Sequence, residues 1–173
     1  IESRKLRQLG FEVNANVNFF KKKKVNYDID SLGFRDHMTN VNAAVGISQL
    51  KKIRHIKKRK YEIISFYEKN LKNLKNIKIP NYDKKNIIPF IYPVRVSKNL
   101  RDELRHFLKK NNIFTGLHWY PLHKMSLFKK CKKGNLKNTN LVADELISLP
   151  FHARLSNNDL KKVCNKIRLF LNE

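Results

Sequence analysis

Acidic side chains are scarce in this chain: 14 Asp and Glu face 38 Lys and Arg over 173 residues, a formal net charge of +24. Cysteine is scarcer still. Cys131 and Cys164 have no metal-ligand spacing, and two isolated thiols fit a reduced, cytoplasmic setting. No run of about 18 apolar residues is present, which excludes a helix long enough to span a membrane. Ile1-Glu2-Ser3-Arg4 is charged and lacks the apolar stretch of a signal peptide. With five glycines, the chain has no Gly-rich phosphate loop. It has no paired-carboxylate candidate and no Ser or Cys in a nucleophile motif, and no single lysine stands out as a Schiff-base former. The chain therefore carries no complete catalytic set of its own.

What is present argues for a folded protein. Hydrophobic residues make up 41% of the chain and fall in well-separated segments, enough for one domain with a core or for part of a larger one. Bulk positive charge would ordinarily point to nucleic acid. Here the excess is mostly Lys, spread along the whole chain beside abundant Asn and Ile, the residues of A/T-rich codons. The run Lys21-Lys22-Lys23-Lys24 has no interleaved Arg, Gly or aromatic that would read or stack on bases. Genome composition is the preferred source of the charge, and a basic nucleic-acid-binding module is the rival reading.

The chain opens as if inside a helix, with Leu6 and Leu9 apolar and Gly10 as its stop, so an upstream part is expected. Residues 11 to 31 read as irregular. From Thr39 or Asn40 as cap, apolar residues from Val41 to Leu74 recur at three- and four-residue spacing, which predicts one long helix ended by Asn76 to Pro80. Ile87 to Val96 predicts a strand with Phe90, Tyr92, Val94 and Val96 on one face. Pro89 and Pro93 place that strand at a sheet edge or a bulge. A helix capped by Ser97 or Asn99 follows, with Leu100, Leu104, Phe107 and Leu108 buried. Then come a strand over Ile113 to Trp119, a polar loop, a short helix over Leu141 to Ile147 and an extended Leu149 to His152. Ser156-Asn157-Asn158-Asp159 resembles a capping box for a last helix buried through Leu160, Val163, Ile167, Phe170 and Leu171. The predicted class is α/β in the α+β sense: a small, mostly antiparallel sheet covered by helices.

Four groups are candidates for chemistry. Arg35 and His37 lie on a short loop before a helix start, where positive charge meets an anion, most simply a phosphate; a solvated loop is the plain alternative. Gly116-Leu117-His118-Trp119-Tyr120-Pro121-Leu122-His123 gathers two histidines and the only tryptophan at a strand end, suited to ligand binding or proton transfer or else to packing. His152 reads as structural. Cys164 reads as a small core residue, and Cys131 has no nearby base.

Four segments in order carry a resemblance. They are Arg4 to Gly10, Gly33-Phe34-Arg35-Asp36-His37-Met38-Thr39 on to Gln49-Leu50, Thr115 to His123, and Leu146-Ile147-Ser148-Leu149-Pro150-Phe151-His152. Together they resemble the nucleotide-sugar aminotransferases of the DegT/DnrJ/EryC1/StrS family, over nearly the whole chain. The resemblance implies the type I pyridoxal-phosphate-dependent transferase fold, of the aspartate aminotransferase kind. Residues 1–38 would be the end of the large cofactor-binding domain and an interface loop. Residues 39–173 would be a long linking helix and the small C-terminal domain. It implies pyridoxal 5'-phosphate as cofactor, held mainly by an upstream half that carries the Schiff-base lysine, so that this chain alone is not active. Arg35 and His37 would reach the cofactor phosphate of the twin subunit in a homodimer. The family has Asn and Arg at these two positions, so the role is altered here. His118, Tyr120 and His123 would contact the substrate, a nucleotide-linked keto sugar aminated at glutamate's expense in surface-polysaccharide or deoxyamino-sugar biosynthesis. No membrane or nucleic-acid partner is implied. A truncated, non-catalytic remnant of such an enzyme is a third reading.

Overall fold

The computed structural model describes residues 2–7, 9–10, 29, 31–36, 38–84 and 86–172. The Lys21 to Lys24 run and His37 lie outside them. The chain divides into two units, 1–52 and 53–173.

In the first unit, helix α1 (Glu2–Leu6) ends in Leu9 and Gly10, both left-handed with φ of 63° and 82°. Gly10 supplies the helix stop its position predicts. Helix α2 (Asn40–Lys51) starts at Thr39, whose side chain accepts from the Asn42 N–H at 3.2 Å. None of its residues is buried: Val41, Val45, Ile47 and Leu50 are all exposed.

The second unit begins with helix α3 (Ile53–Leu71). The single long helix expected from the spacing is therefore two, separated at Lys52, whose backbone N–H turns back to the carbonyls of Gln49 and Leu50. The apolar period runs through this point and does not register the break. Ile63, Ile64, Tyr67 and Leu71 form the buried face of α3. That face packs on helix α6 (Asn157–Leu171), which buries Leu160, Val163, Cys164 and Ile167. Arg59 of α3 donates to the Leu155 carbonyl at 2.6 Å, and Arg168 of α6 to the Asn70 carbonyl at 3.0 Å, which tie the two helices together. The start of α6 is a full capping box: the Ser156 Oγ accepts from the Asp159 N–H at 3.1 Å, and the Asp159 carboxylate accepts from the Ser156 N–H at 2.9 Å.

Among the described residues the sheet has three antiparallel strands in the order β1 (Ile77–Lys78), β2 (Tyr92–Val96), β3 (Leu146–Leu149). Tyr92, Val94 and Val96 face the core as their alternation predicts, but Phe90 lies before the strand and is exposed. The expected edge position of the proline-bearing strand is corrected, because β2 is the central one. Register explains how. Pro93 stands opposite Ser148, and the Ser148 N–H and C=O both bond to Gly116, on the side away from β2. In an antiparallel pair the backbone groups of such a pair point outward. The missing N–H of Pro93 thus faces the flank where β1, paired only with Arg95 and Val96, has already ended. The strand expected over Ile113 to Trp119 is reduced to this one bridge at Gly116.

Helix α4 (Lys98–Lys110) follows β2 and buries Leu104 and Leu108. Helix α5 (Lys137–Glu145) ends where β3 begins, so residues 146 and 147, expected to be helical, are strand. A charge pair fixes that junction: Arg95 Nε and Nη2 donate to Glu145 Oε2 at 2.9 and 2.7 Å. At the centre of the core, the Tyr67 hydroxyl donates to the Pro150 carbonyl at 2.8 Å and its ring lies 4.9 Å from that of Tyr92. Burial raises both phenols well above the ordinary tyrosine range.

Candidate functional site

In the first unit, two glycines allow two backbones to touch. The Phe34 N–H donates to the Leu6 carbonyl at 2.6 Å, the Leu9 N–H to the Phe34 carbonyl at 3.2 Å and the Asp36 N–H to the Arg7 carbonyl at 3.0 Å. A Cβ on Gly33 would collide with the Gly10 nitrogen and lie 2.7 Å from the Leu6 carbonyl oxygen. A Cβ on Gly10 would overlap the Ser31 carbonyl. The glycines of the first two sequence motifs are thus one contact. Its product is a backbone anchored on both sides of Arg35 by Phe34 and Asp36, while the Arg35 side chain is exposed. A guanidinium held at its base and free at its head suits a phosphate, which it can meet with two parallel donors.

In the second unit, the last two motifs also meet. His118 Nδ1 lies 2.9 Å from Ser148 Oγ. Ser148, on β3, is 4% exposed and is the buried polar residue among the described ones. Gly116 exchanges both backbone hydrogen bonds with the same serine, 2.9 Å from its N–H and 2.8 Å to its carbonyl. A Cβ on Gly116 would overlap the His118 imidazole, colliding with Cε1 and lying 2.9 Å from Nδ1. Gly116 has no left-handed φ, so the glycine is there to admit the ring, not to make a turn. Gly116 and Ser148 together form a clamp: the serine hydroxyl takes Nδ1 of His118 and the glycine makes room for the ring. The peptide between His118 and Trp119 is cis.

His118 and Tyr120 line one cavity of about 140 Å³ with Arg101, Trp119, Lys124 and Asp144. Arg101 Nη1 donates to the Ala143 carbonyl at 2.9 Å and Nη2 to Asp102 at 3.0 Å, while its buried Nε has no hydrogen-bond partner. Asp144 is matched by Lys98 at 3.2 Å and Lys124 at 3.5 Å. The hydrogen bond from Lys98, then the charge of Lys124, hold its carboxyl below the usual range. His123 is elsewhere. Its Nε2 lies 2.9 Å from Asn140 Oδ1, and it borders a separate hollow with Phe128, Cys131 and Thr139. His152 is exposed. Cys131 is exposed and Cys164 buried, with burial pushing the Cys164 thiol up to about 12.

The structure thus joins His118 to Tyr120 and separates His123 from both; Arg35 stands in the other unit. Sequence reading missed the roles of Ser148 and Arg101 here. Only Ser148 left a signal, as a lone hydroxyl inside the apolar run Leu146 to Leu149. No group of three or more His, Cys, Asp or Glu among the described residues could hold a metal, and no helix among them is long and apolar enough to cross a membrane.

Residues 2–168 match the model of the DegT/DnrJ/EryC1/StrS aminotransferase family. The chain is 30% identical over 173 residues to dTDP-4-amino-4,6-dideoxy-D-glucose transaminase of Shigella dysenteriae, covering 95% of this chain and 43% of that protein. It is 29% identical over 149 residues to GDP-perosamine synthase of Escherichia coli O157:H7, covering 83% of this chain and 39% of that one. The chain therefore spans less than half the length of these curated relatives. Its fold matches the sugar aminotransferase Spr1654 of Streptococcus pneumoniae, solved in a PLP form, with a TM-score of 0.73 and 19% identity over 98% of this chain and 42% of that one.

Proposed function

The chain belongs to the DegT/DnrJ/EryC1/StrS aminotransferase family, and from that premise we propose that it is the sugar-facing part of a pyridoxal-phosphate-dependent enzyme. In this reading the enzyme moves an amino group from glutamate to a keto sugar carried on a nucleotide, in deoxyamino-sugar or surface-polysaccharide synthesis. The family's aminotransferases depend on pyridoxal phosphate, and relatives named for dTDP- and GDP-linked sugar chemistry support the substrate class. Residues 1–38 are read as the end of the cofactor-binding domain with its interface loop, and 39–173 as the linking helices and the small domain. The lysine that bonds the cofactor is assigned to a separate domain, without which these residues do no chemistry. An exposed free thiol at Cys131 suits a cytoplasmic setting.

The observation that carries the reading is the clamp on His118. An imidazole fixed at Nδ1 by a buried serine, on the wall of a cavity shared with Tyr120, is a preorganised hydrogen-bonding group for a hydroxylated substrate. His118 orients the sugar, and the Tyr120 hydroxyl provides a second donor on the same wall. His123, engaged by Asn140, is a more distant substrate contact that steadies the turn after Pro121.

Arg35 is the residue whose surroundings fit the cofactor. Its exposed guanidinium on a doubly anchored backbone matches a phosphate monoester, and in a homodimer it is read as serving the phosphate of the twin subunit's cofactor, with His37 beside it in sequence. The cofactor, when bound, supplies the electron sink for amino transfer. The chain's own residues bind, orient and screen.

The test is reconstitution with a lysine-bearing domain of the family, pyridoxal phosphate, glutamate and a nucleotide-linked keto sugar. Release of 2-oxoglutarate that needs all four and falls in His118→Phe supports the reading. No release under any nucleotide-linked keto sugar refutes it.

A further inference from the structure

Beside the His118 cavity stands an aromatic surface with no task in the core. Phe90 and Trp119 are each 66% exposed, with ring centroids 5.9 Å apart and planes 35° from parallel. Trp119 also meets the His118 ring edge-on at 5.3 Å and lines the cavity with Arg101 and Lys124. We propose that Phe90 and Trp119 form the platform on which the base of a nucleotide stacks, with its phosphate turned toward Arg101 and Lys124; this rests on the nucleotide-sugar reading above and adds the place of the base.

Three features argue for it. The first is how Phe90 is held. It lies in irregular chain between β1 and β2, yet side chains bond the carbonyls around it: Lys60 Nζ to Pro89 at 2.7 Å, the Tyr61 hydroxyl to Ile87 at 2.7 Å and the Tyr82 hydroxyl to Ile91 at 2.9 Å. Lys60 also sits over the Phe151 ring at 5.0 Å, and burial lowers its pKa. A phenyl ring that contributes so little to the core needs no such tethers unless its position matters.

The second is chemistry. Two neighbouring rings open to water offer a π-face to any flat heteroaromatic group, and stacking tolerates a change of base because every base has such a face. Relatives named for both dTDP- and GDP-linked sugars fit a platform of that tolerance. The third is charge. At and around the adjoining cavity Asp144 pairs with Lys98 and Lys124, and Asp102 with Arg101 and Arg105. On the cavity wall itself Arg101 and Lys124 stand against the one carboxylate of Asp144, an excess that favours phosphate, and the buried Arg101 Nε has no other partner.

Trp119 is the only tryptophan of the chain, so its fluorescence reports on this place alone. The 173-residue chain is titrated with dTMP, with GMP and with ribose 5-phosphate, which has the phosphate and no base. The proposal expects saturable quenching by both nucleotides and none by ribose 5-phosphate. Phe90→Ala should weaken nucleotide binding about tenfold or more, Phe90→Tyr should preserve it, and Lys124→Ala should weaken dTMP but not thymidine. Absence of saturable quenching, equal quenching by ribose 5-phosphate, or an affinity unmoved by Phe90→Ala in a chain of unchanged circular dichroism overturns the platform. Reconstituted enzyme that aminates an unlinked keto sugar as fast as a nucleotide-linked one overturns the reading beneath it, whatever the fluorescence shows.

Discussion

Replacing Gly116 with alanine is the sharpest local perturbation this site offers. In an extended segment without positive φ, Gly→Ala ordinarily stabilises a protein by about 0.4–1 kcal/mol through the unfolded chain. Here the new methyl would occupy the space of the His118 imidazole, so the ring must swing off Ser148. The Ser148 hydroxyl is buried, and a buried hydroxyl left without a partner costs about 1–3 kcal/mol. The two effects oppose, and the second is larger, so Gly116→Ala should lose on the order of 1–2 kcal/mol. Ser148→Ala removes the hydroxyl itself and should cost about 0.5–1.5 kcal/mol. Because the methyl acts through the serine, the double variant should be more stable than the two losses added together predict. Urea unfolding monitored by circular dichroism measures all three, and the His118 ring resonances report whether the imidazole has moved. A Gly116→Ala protein at least as stable as the parent with an unmoved His118 signal, or strictly additive losses, would refute the clamp.

Other consequences are as specific. With Cys131 exposed and Cys164 buried, Ellman's reagent should titrate one thiol in the folded chain and both after unfolding; two fast thiols in the native protein would contradict the packing of α6. The folded Cys164 thiol titrates near 12 and an unfolded one near 8.5. A group whose folded pKa is raised contributes stability below the unfolded value and loses it on rising toward the folded one, so unfolding free energy should fall between those limits and fall less in Cys164→Ala. Ser156→Ala should cost about 1 kcal/mol by removing half of the α6 capping box. The Asp159 carboxyl is held below its usual range by the Ser156 hydroxyl and backbone N–H, so its contribution is present above the unfolded carboxylate pKa and lost as pH falls through the lower folded value. An acid-unfolding midpoint identical in Asp159→Asn would count against that. Arg95→Met should destabilise the α5–β3 junction by leaving Glu145, only 18% exposed, without its partner.

What the sequence made legible were features decided within a few residues. The α6 capping box, the Gly10 stop, the Thr39 cap and the Leu104–Leu108 face of α4 follow from local chemistry and periodicity, and all are present. Features decided by distant partners were misread. Pro93 argued for an edge because its lack of an N–H was visible, while the early end of β1 that tolerates it was not. The apolar period from Val41 to Leu74 runs through Lys52 without marking it. The motif around His118 was legible as a site, but the serine that orients it stands 30 residues further on, and nothing in the spacing joins the two. The alternation that sets Phe90 on one face with Tyr92, Val94 and Val96 runs past the start of β2. The Gly10–Gly33 contact is hidden in the same way: Gly10 reads as a helix stop and Gly33 as part of a short loop, and only the fold shows that they touch.

The proposed substrate contact turns on the state of one imidazole, and ¹⁵N-histidine spectra of the chain titrated with a dTDP-linked sugar measure it. The Nε2 resonance of His118 should move to saturation while Nδ1, held by Ser148, stays in place, and the response should become heterogeneous in Ser148→Ala. An Nε2 resonance unmoved at saturating ligand, or a shift confined to Nδ1, would contradict it.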